Sequence, residues 1–295
     1  MKMLPLCLLL LCAFTTSKAI AQSPVLTVGP VDDAGVVQIR SKDTRQQLFA
    51  TFSQAGNDVD VTRRVTFAVQ PEGVLQIDST GLVTPLADGD AVIRATQDDL
   101  TAEIKVTVSG FAAPLPINFH NQVVPIFTKL GCNGGGCHGK SGGQNGFKLS
   151  LLGFYPQDDY EFLRKESRGR RIFPAGPSES LLLTKATGRT PHGGGRRMDV
   201  GNYEYRMLTA WIEQGMPYGH TDDATVVGIQ CYPESRVMPQ STEQQIAVIA
   251  TYSDGTTEDV TRMALYEAND SEMAECSESG IVSTLELAGE VAIMA

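Results

Sequence analysis

The sequence predicts a multidomain chain in which an all-β sandwich is followed by an all-α domain and then by a second, incomplete all-β sandwich. Residues 23–110 alternate short apolar-polar runs with turn residues, which is the period-two pattern of antiparallel strands. The same pattern returns after residue 224. The segment between them, residues 117–219, begins and ends with the spacing of amphipathic helices.

Residues 1–21 have the features of a secretory signal peptide. A lysine stands near the start, an apolar run extends from Leu4 to Phe14, and small residues precede Gln22. The apolar run is too short to span a bilayer, and no later run is long enough. We therefore expect an exported protein without a membrane span, located in the periplasm, at the cell surface or outside the cell.

The two predicted sandwiches are copies of one unit. QQLFATFSQAGNDVDVTRR (residues 46–64) matches QQIAVIATYSDGTTEDVTRM (244–263), and DSTGLVTPLADGDAVIRA (78–95) matches SESGIVSTLELAGEVAIMA (277–295). These repeats resemble bacterial Ig-like group 2 domains, which implies an Ig-like β-sandwich fold for residues 23–110 and 224–295. The second copy stops before the final strand of the first, so we expect it to be truncated and the chain to be part of a longer protein.

The central segment contains two cysteines and a histidine around a run of glycines, LGCNGGGCHG (residues 130–139). Cys132 and Cys137 followed at once by His138 is the order in which a c-type haem is attached, with two thioether bonds and an axial imidazole. The usual spacing has two residues between the cysteines, and here there are four. A Cys132–Cys137 disulfide and a zinc site are the alternatives, although no second Cys or His pair follows at metal spacing.

Helices are predicted on both sides of this motif. Asn118 can cap a helix that leads into Cys132, and Pro125 either kinks that helix or restarts it at its first position. Residues 202–214 place Tyr205, Leu208, Trp211 and Ile212 on one stripe. A helix before the motif and an amphipathic helix at the end of the domain is the arrangement of a class I cytochrome c.

The resemblance extends over about 100 residues. NFHNQVVPIFTKLGCNGGGCHGKSGGQNGFKLSLLGF, GRRIFPAGPSESLLLTKATGRTPHGGGRRM and EYRMLTAWIEQG are similar to the cytochrome c-like haem domain of large exported planctomycete proteins, in which it lies among Ig-like group 2 repeats. The resemblance implies an all-α cytochrome c-like domain at residues 117–219. It also implies covalent haem c on Cys132 and Cys137, with iron bound by His138.

A second axial ligand is needed for six-coordinate iron. His192 is favoured and Met198 is the alternative, while a site with neither also stays open. Arg196 and Arg197 are candidate partners of the haem propionates, because guanidinium pairs with carboxylate through two hydrogen bonds. His120 and His220 are interpreted as structural or exposed.

The charge distribution limits the partners. The full chain has a net charge of −10, which argues against nucleic acid. The central segment is instead basic, with Arg164, Lys165, Arg168, Arg170 and Arg171 close together. This cluster is either a solvated face or a surface that steers an anionic redox partner protein or the propionates.

Two classes of function follow. The first is an exported c-type cytochrome module that binds haem, contains iron and transfers single electrons, with the Ig-like domains as spacers. The second is a cell-surface or extracellular scaffold or adhesion protein whose Ig-like domains dock other surface proteins, or the accessory part of a larger enzyme. No catalytic constellation is visible.

Cys231 and Cys276 are expected to be buried free thiols, with a disulfide between them as the alternative.

Overall fold

The computed structural model describes residues 23–32, 34–113 and 116–295, so the predicted signal peptide lies outside the described residues. The described chain is mostly β, with 31% strand and 17% helix. Two β units, residues 23–110 and 224–295, stand on either side of a central unit, residues 117–219. We call them the N-terminal β unit, the C-terminal β unit and the central unit.

The N-terminal β unit is built from three sheets with the strand orders β1-β4-β5, β2-β10-β9-β6 and β3-β8-β7. Alternate residues of β9 and β10 point into the core, as the period-two pattern predicts; Ile93 and Val106 are buried examples. The strands are β1 (Val25–Gly29), β2 (Val36–Arg40), β3 (Gln46–Gln47), β4 (Phe49–Gln54), β5 (Asn57–Asp60), β6 (Thr66–Gln70), β7 (Leu75–Ile77), β8 (Leu82–Pro85), β9 (Gly89–Gln97) and β10 (Leu100–Ser109).

The C-terminal β unit repeats this arrangement. Its sheets β11-β13-β14 and β12-β17-β16 correspond strand for strand to β1-β4-β5 and β3-β8-β7, and a third sheet pairs β15 with β18. The strands are β11 (Val226–Tyr232), β12 (Glu243–Gln245), β13 (Ala247–Tyr252), β14 (Thr257–Asp259), β15 (Glu267–Ala268), β16 (Ala274–Cys276), β17 (Ile281–Thr284) and β18 (Ile293–Met294). The sequence repeat is therefore a repeat of structure.

Helices in the central unit are short and are joined by long loops. They are α1 (Val124–Lys129), α2 (Pro156–Arg164), α3 (Leu181–Ala186) and α4 (Tyr203–Glu213), with a π-helical turn at Phe119–Val123 and single 3₁₀ turns at Leu151–Gly153, Glu166–Gly169 and Pro177–Glu179. Asn118 caps the π-helical turn by accepting from the backbone N–H of Asn121, and Pro125 stands in the first turn of α1. The proline therefore restarts the helix.

Helix α4 holds the core of the central unit together. Asn202 caps it by accepting from the Tyr205 N–H at 2.9 Å, and Trp211 is fully buried. The Trp211 ring lies 5.5 Å from that of Phe119 in the π-helical turn, between ring centroids. The first and last helical segments thus meet at a shared aromatic core, which fixes where the loop after α1 begins.

The predicted fold class is nevertheless wrong. The described chain is mostly β with only four short helices, and the central unit is not an all-α cytochrome c-like domain. Sequence periodicity identified the terminal helices, but long glycine-rich loops occupy most of the residues between them. Such loops have no periodicity, so the pattern gave no sign that helix content would be low.

Candidate functional site

The glycine-rich loop 130–139 folds back on itself directly after α1. The Cys132 N–H donates to the Phe127 carbonyl at 2.8 Å, and the His138 N–H returns to the Cys132 carbonyl at 3.0 Å. Gly139 lies so close to Asn133 that a Cβ on it would stand 1.9 Å from the Asn133 carbonyl oxygen. The four residues between the cysteines are therefore folded into tight turns, and Gly139, just after them, is where a Cβ would collide with the backbone.

Both cysteines and both candidate histidines line one cavity of about 330 Å³. Its other walls are mainly apolar, with a basic edge. The apolar lining comes from Phe127, Phe147, Leu149, Leu181, Leu182 and Ala186, and the basic lining from Arg170, Arg171, Lys185 and Arg197. An apolar cleft with a few convergent polar groups is the usual form of a cofactor site.

The imidazole rings of His138 and His192 face each other across this cavity. Their centroids are 6.3 Å apart and their planes differ by 8°. The Nδ1 of His138 donates to the Phe147 carbonyl at 3.0 Å, and the Nδ1 of His192 donates to the Gly195 carbonyl at 2.8 Å. Because a carbonyl only accepts, each Nδ1 carries a hydrogen, and in the neutral imidazole Nε2 is then the nitrogen with the free lone pair.

This arrangement suits two metal-ligating imidazoles. A ligating histidine almost always donates its other ring N–H to a carbonyl, carboxylate or water, which fixes the tautomer and the orientation of the ring. Burial lowers the pKa of His138 against the opposing hydrogen bond to the Phe147 carbonyl, and the nearby His192, Arg171 and Lys140 lower it further. The neutral form that binds metals is therefore favoured.

The two cysteines are free thiols in the structure, as are Cys231 and Cys276. Burial raises the pKa of Cys132 to about 11, against the opposing influence of Arg197. The Arg197 guanidinium lies beside the second cysteine, with a nitrogen 3.9 Å from the Cys137 Sγ. The structure therefore contains neither a Cys132–Cys137 nor a Cys231–Cys276 disulfide, which the sequence left as alternatives.

The other sequence-predicted residues fall in different places. Met198 is 4% exposed and packs in the core of the central unit, away from the cavity lining, whereas His192 belongs to that lining. Arg196 pairs with Asp199 and is not among the lining residues, so of the two candidate arginines only Arg197 faces the cavity. His120 and His220 are exposed.

Two further basic residues line the cavity. Arg171 belongs to the cluster that the sequence predicts as either a solvated face or a steering surface, but it is 5% exposed and its guanidinium lies 4.5 Å from the centroid of the Phe147 ring. The same guanidinium donates to the Phe162 carbonyl at 2.7 Å. Lys185, which donates to the Pro191 carbonyl at 2.8 Å, was not singled out at all. No local signal distinguishes either from an ordinary surface cation.

The expectation of a cytochrome c module that transfers single electrons is corrected by these findings. The central unit lacks the all-α fold, and the described residues contain no group of three or more His, Cys, Asp or Glu side chains that could hold a metal ion. Within the described residues, no helix has the length and apolar character needed to cross a membrane.

Comparison with known proteins gives weak likenesses. No protein-family model matches the chain. The chain is 21% identical over 252 residues to "Ice-binding protein 1" of Shewanella frigidimarina (strain NCIMB 400), covering 82% of this chain and 24% of that protein. Among solved structures, the S-layer protein rSbsC(31-844) is 11% identical at a TM-score of 0.22, with 93% of this chain and 26% of that chain covered. The chain thus spans about a quarter of the length of the proteins it matches.

Proposed function

We propose that this chain is an exported, β-rich scaffold protein whose central unit holds one covalently attached haem between His138 and His192. The nearly parallel imidazole rings of His138 and His192 are the observation that supports the haem. The repeated β units, which account for most of the regular structure, support the scaffold. The likeness to an ice-binding protein at 21% identity is consistent with a protein that acts outside the cell.

The residues present fit a haem. The His138 and His192 rings line the same cavity as both cysteines, with their centroids 6.3 Å apart and their planes 8° from parallel, so all four residues could contact one bound group. Cys132 and Cys137 line the same cavity and their thiols are free for thioether bonds. A haem supplies four nitrogen ligands of its own, so the chain need not provide a cluster of three or more ligating side chains.

Each residue then has a definable part. Cys132 and Cys137 would attach the group, and His138 and His192, whose rings are oriented by the Phe147 and Gly195 carbonyls, would ligate its iron. Arg197 and Lys185 offer cations to the propionates at the basic edge. A haem held in this way would supply one-electron redox chemistry at the iron.

Attachment can be tested directly. The chain is expressed with its signal peptide in a host competent for covalent haem attachment, and intact mass and haem staining after denaturation are measured. We expect the mass of one haem on the wild-type protein and bare polypeptide for Cys132→Ala/Cys137→Ala. A wild-type protein that lacks the added mass while a control cytochrome from the same host carries it would overturn the cofactor.

Location is tested on the same cells. Protease added to intact and to outer-membrane-permeabilised cells distinguishes the cell surface from the periplasm. We expect degradation in at least one of these, and a chain protected in both but cleaved after lysis would contradict export.

A further inference from the structure

The two β units contact each other through a reciprocal pair of hydrogen bonds. Oδ2 of Asp60, in the N-terminal β unit, accepts from the backbone N–H of Gln245 at 2.6 Å. In the opposite direction, Oδ2 of Asp259, in the C-terminal β unit, accepts from the backbone N–H of Gln47. Each unit thus donates one main-chain N–H to its partner and accepts one from it.

The reciprocity follows from the sequence repeat. Gln47 and Gln245 are the second glutamines of the two QQ pairs, and Asp60 and Asp259 open the two DVTR segments. The other carboxylate oxygen is used identically in each unit: Oδ1 accepts from the N–H of Thr62 or Thr261 at 2.7 Å. Equivalent residues therefore meet equivalent residues, as in an isologous interface with a twofold axis.

The contact protects two sheet edges. Gln47 lies in β3 and Gln245 in β12, each the terminal strand of a three-stranded sheet. Both glutamines are almost fully buried, at 0% and 1% exposure. An edge strand with an unpaired N–H is a template for pairing with another chain, and here a carboxylate from the sister unit occupies that N–H.

Other contacts favour the pairing of unlike units. Arg236 of the C-terminal β unit forms an ion pair with Asp58 of the N-terminal β unit at 2.8 Å, and the Arg262 guanidinium donates to the Gln47 side-chain oxygen at 2.8 Å. Among the residues that the structure describes, neither contact has a counterpart in the reverse direction. These one-sided contacts, together with the covalent connection, favour contact between the two β units of one chain over contact between two chains.

We infer that this face, formed by the backbone N–H of the second glutamine and the carboxylate of the DVTR aspartate, is self-complementary and docks a second copy of this chain when the internal partner is turned away. An N-terminal β unit offers both halves of the reciprocal bond. Two such units related by a true twofold axis can therefore make the contact that the two repeats make within one chain. The partner is identified by the repeat itself.

The test opens the internal contact from one side only. In full-length Arg236→Glu/Asp259→Asn, a carboxylate faces Asp58 and an amide replaces the oxygen that accepts from Gln47, while the N-terminal β unit is unchanged. The matched control adds Asp60→Asn, which changes the exposed face of that unit by one isosteric group. Asn keeps an oxygen for Thr62 or Thr261, so the local turns are preserved.

Light scattering after size exclusion gives the mass, and small-angle X-ray scattering gives the radius of gyration. Both are measured at protein concentrations up to about 1 mM, which is the order of effective concentration that linkage within one chain supplies. For Arg236→Glu/Asp259→Asn we expect a mass that rises toward twice the wild-type value with concentration. The triple variant should keep the wild-type mass with a larger radius. The inference is overturned if Arg236→Glu/Asp259→Asn stays monomeric, whether or not its radius of gyration increases. It is also overturned if the triple variant dimerises as strongly as the double variant.

Discussion

His138 and His192 lie with their rings 8° from parallel, and each donates its Nδ1 hydrogen to a backbone carbonyl of its own loop. One ring comes from the loop after α1 and the other from the loop between α3 and α4. The carbonyls that orient them, from Phe147 and Gly195, belong to further turns of the same loops. Both tautomers are therefore set by the backbone, before any ligand is bound.

Replacing His192 should change the ligation of the iron without changing haem attachment. His192→Ala removes one Nε2 and leaves Cys132 and Cys137 intact, so we expect the added mass to persist and the absorption and paramagnetic resonance spectra to change to those of five-coordinate or water-ligated iron. Met198→Leu is the control, since Leu-for-Met in a core costs less than about 1.5 kcal/mol. A spectrum altered by Met198→Leu and not by His192→Ala would assign the ligand to Met198.

Gly139 and Gly136 should respond very differently to alanine. A Cβ at Gly139 would overlap the Asn133 carbonyl oxygen, whereas a Cβ at Gly136 meets nothing within 4 Å. Overpacking of this kind costs about 1–3 kcal/mol. Gly139→Ala should therefore lower the free energy of unfolding of the central unit by at least about 1 kcal/mol, and Gly136→Ala should lower it by much less. The chain has a single tryptophan, Trp211, and urea unfolding of the haem-free protein can be followed by its fluorescence. Equal losses for the two variants would contradict the packed turn.

Local signals in the sequence predicted the elements that depend on local chemistry. Asn202 caps α4, and Leu208, Trp211 and Ile212 are its buried stripe, because capping and helical period involve residues only a few positions apart. His192, which the sequence singles out, lies 6.3 Å from His138 between ring centroids, whereas its role as an iron ligand stays a prediction. The pattern of the β repeats likewise identified strands with one buried face.

Contacts between residues far apart in the chain could not be predicted from local sequence patterns. Arg171 is buried against Phe147, and its guanidinium donates to the carbonyls of Phe162, Glu166 and the more distant Gly146; no spacing in the sequence indicates that. The reciprocal bonds of Asp60 and Asp259 join residues that are far apart in the chain. The irregular central loops carry no period at all, which is why an all-α domain was expected where four short helices are found.

The cap of α4 should contribute measurably to the stability of the central unit. Asn202 accepts from the Tyr205 N–H, and losing such a cap costs about 1 kcal/mol, with a range of roughly 0.5–2. We expect Asn202→Ala to lower the free energy of unfolding by this amount in the Trp211 fluorescence assay. Asn202→Ser, which retains a capping oxygen, should recover most of the loss. If serine and alanine were equally destabilising, the side-chain cap would not be the cause.

Asp259 should make the stability of the C-terminal β unit increase as the pH falls from about 6 to about 4. Burial raises the pKa of Asp259 from 3.8 to about 6, against the opposing hydrogen bonds from Thr261 and Gln47. The folded state then binds this proton more tightly than the unfolded state does. Its contribution is present below the unfolded pKa and is lost as the pH rises through 6, with an upper limit of about 3 kcal/mol.

Asp259→Asn cannot titrate, so the measured quantity is the difference in unfolding free energy between wild type and this variant, from urea unfolding followed by circular dichroism across that range. The other carboxylates are common to both proteins and cancel in the difference, including Glu258, whose pKa is also raised by burial, and Asp78, whose pKa is lowered. We expect the difference to move in favour of wild type as the solution is acidified. A difference that stays constant from about pH 7 to pH 4 would show that Asp259 keeps an ordinary pKa in the folded protein.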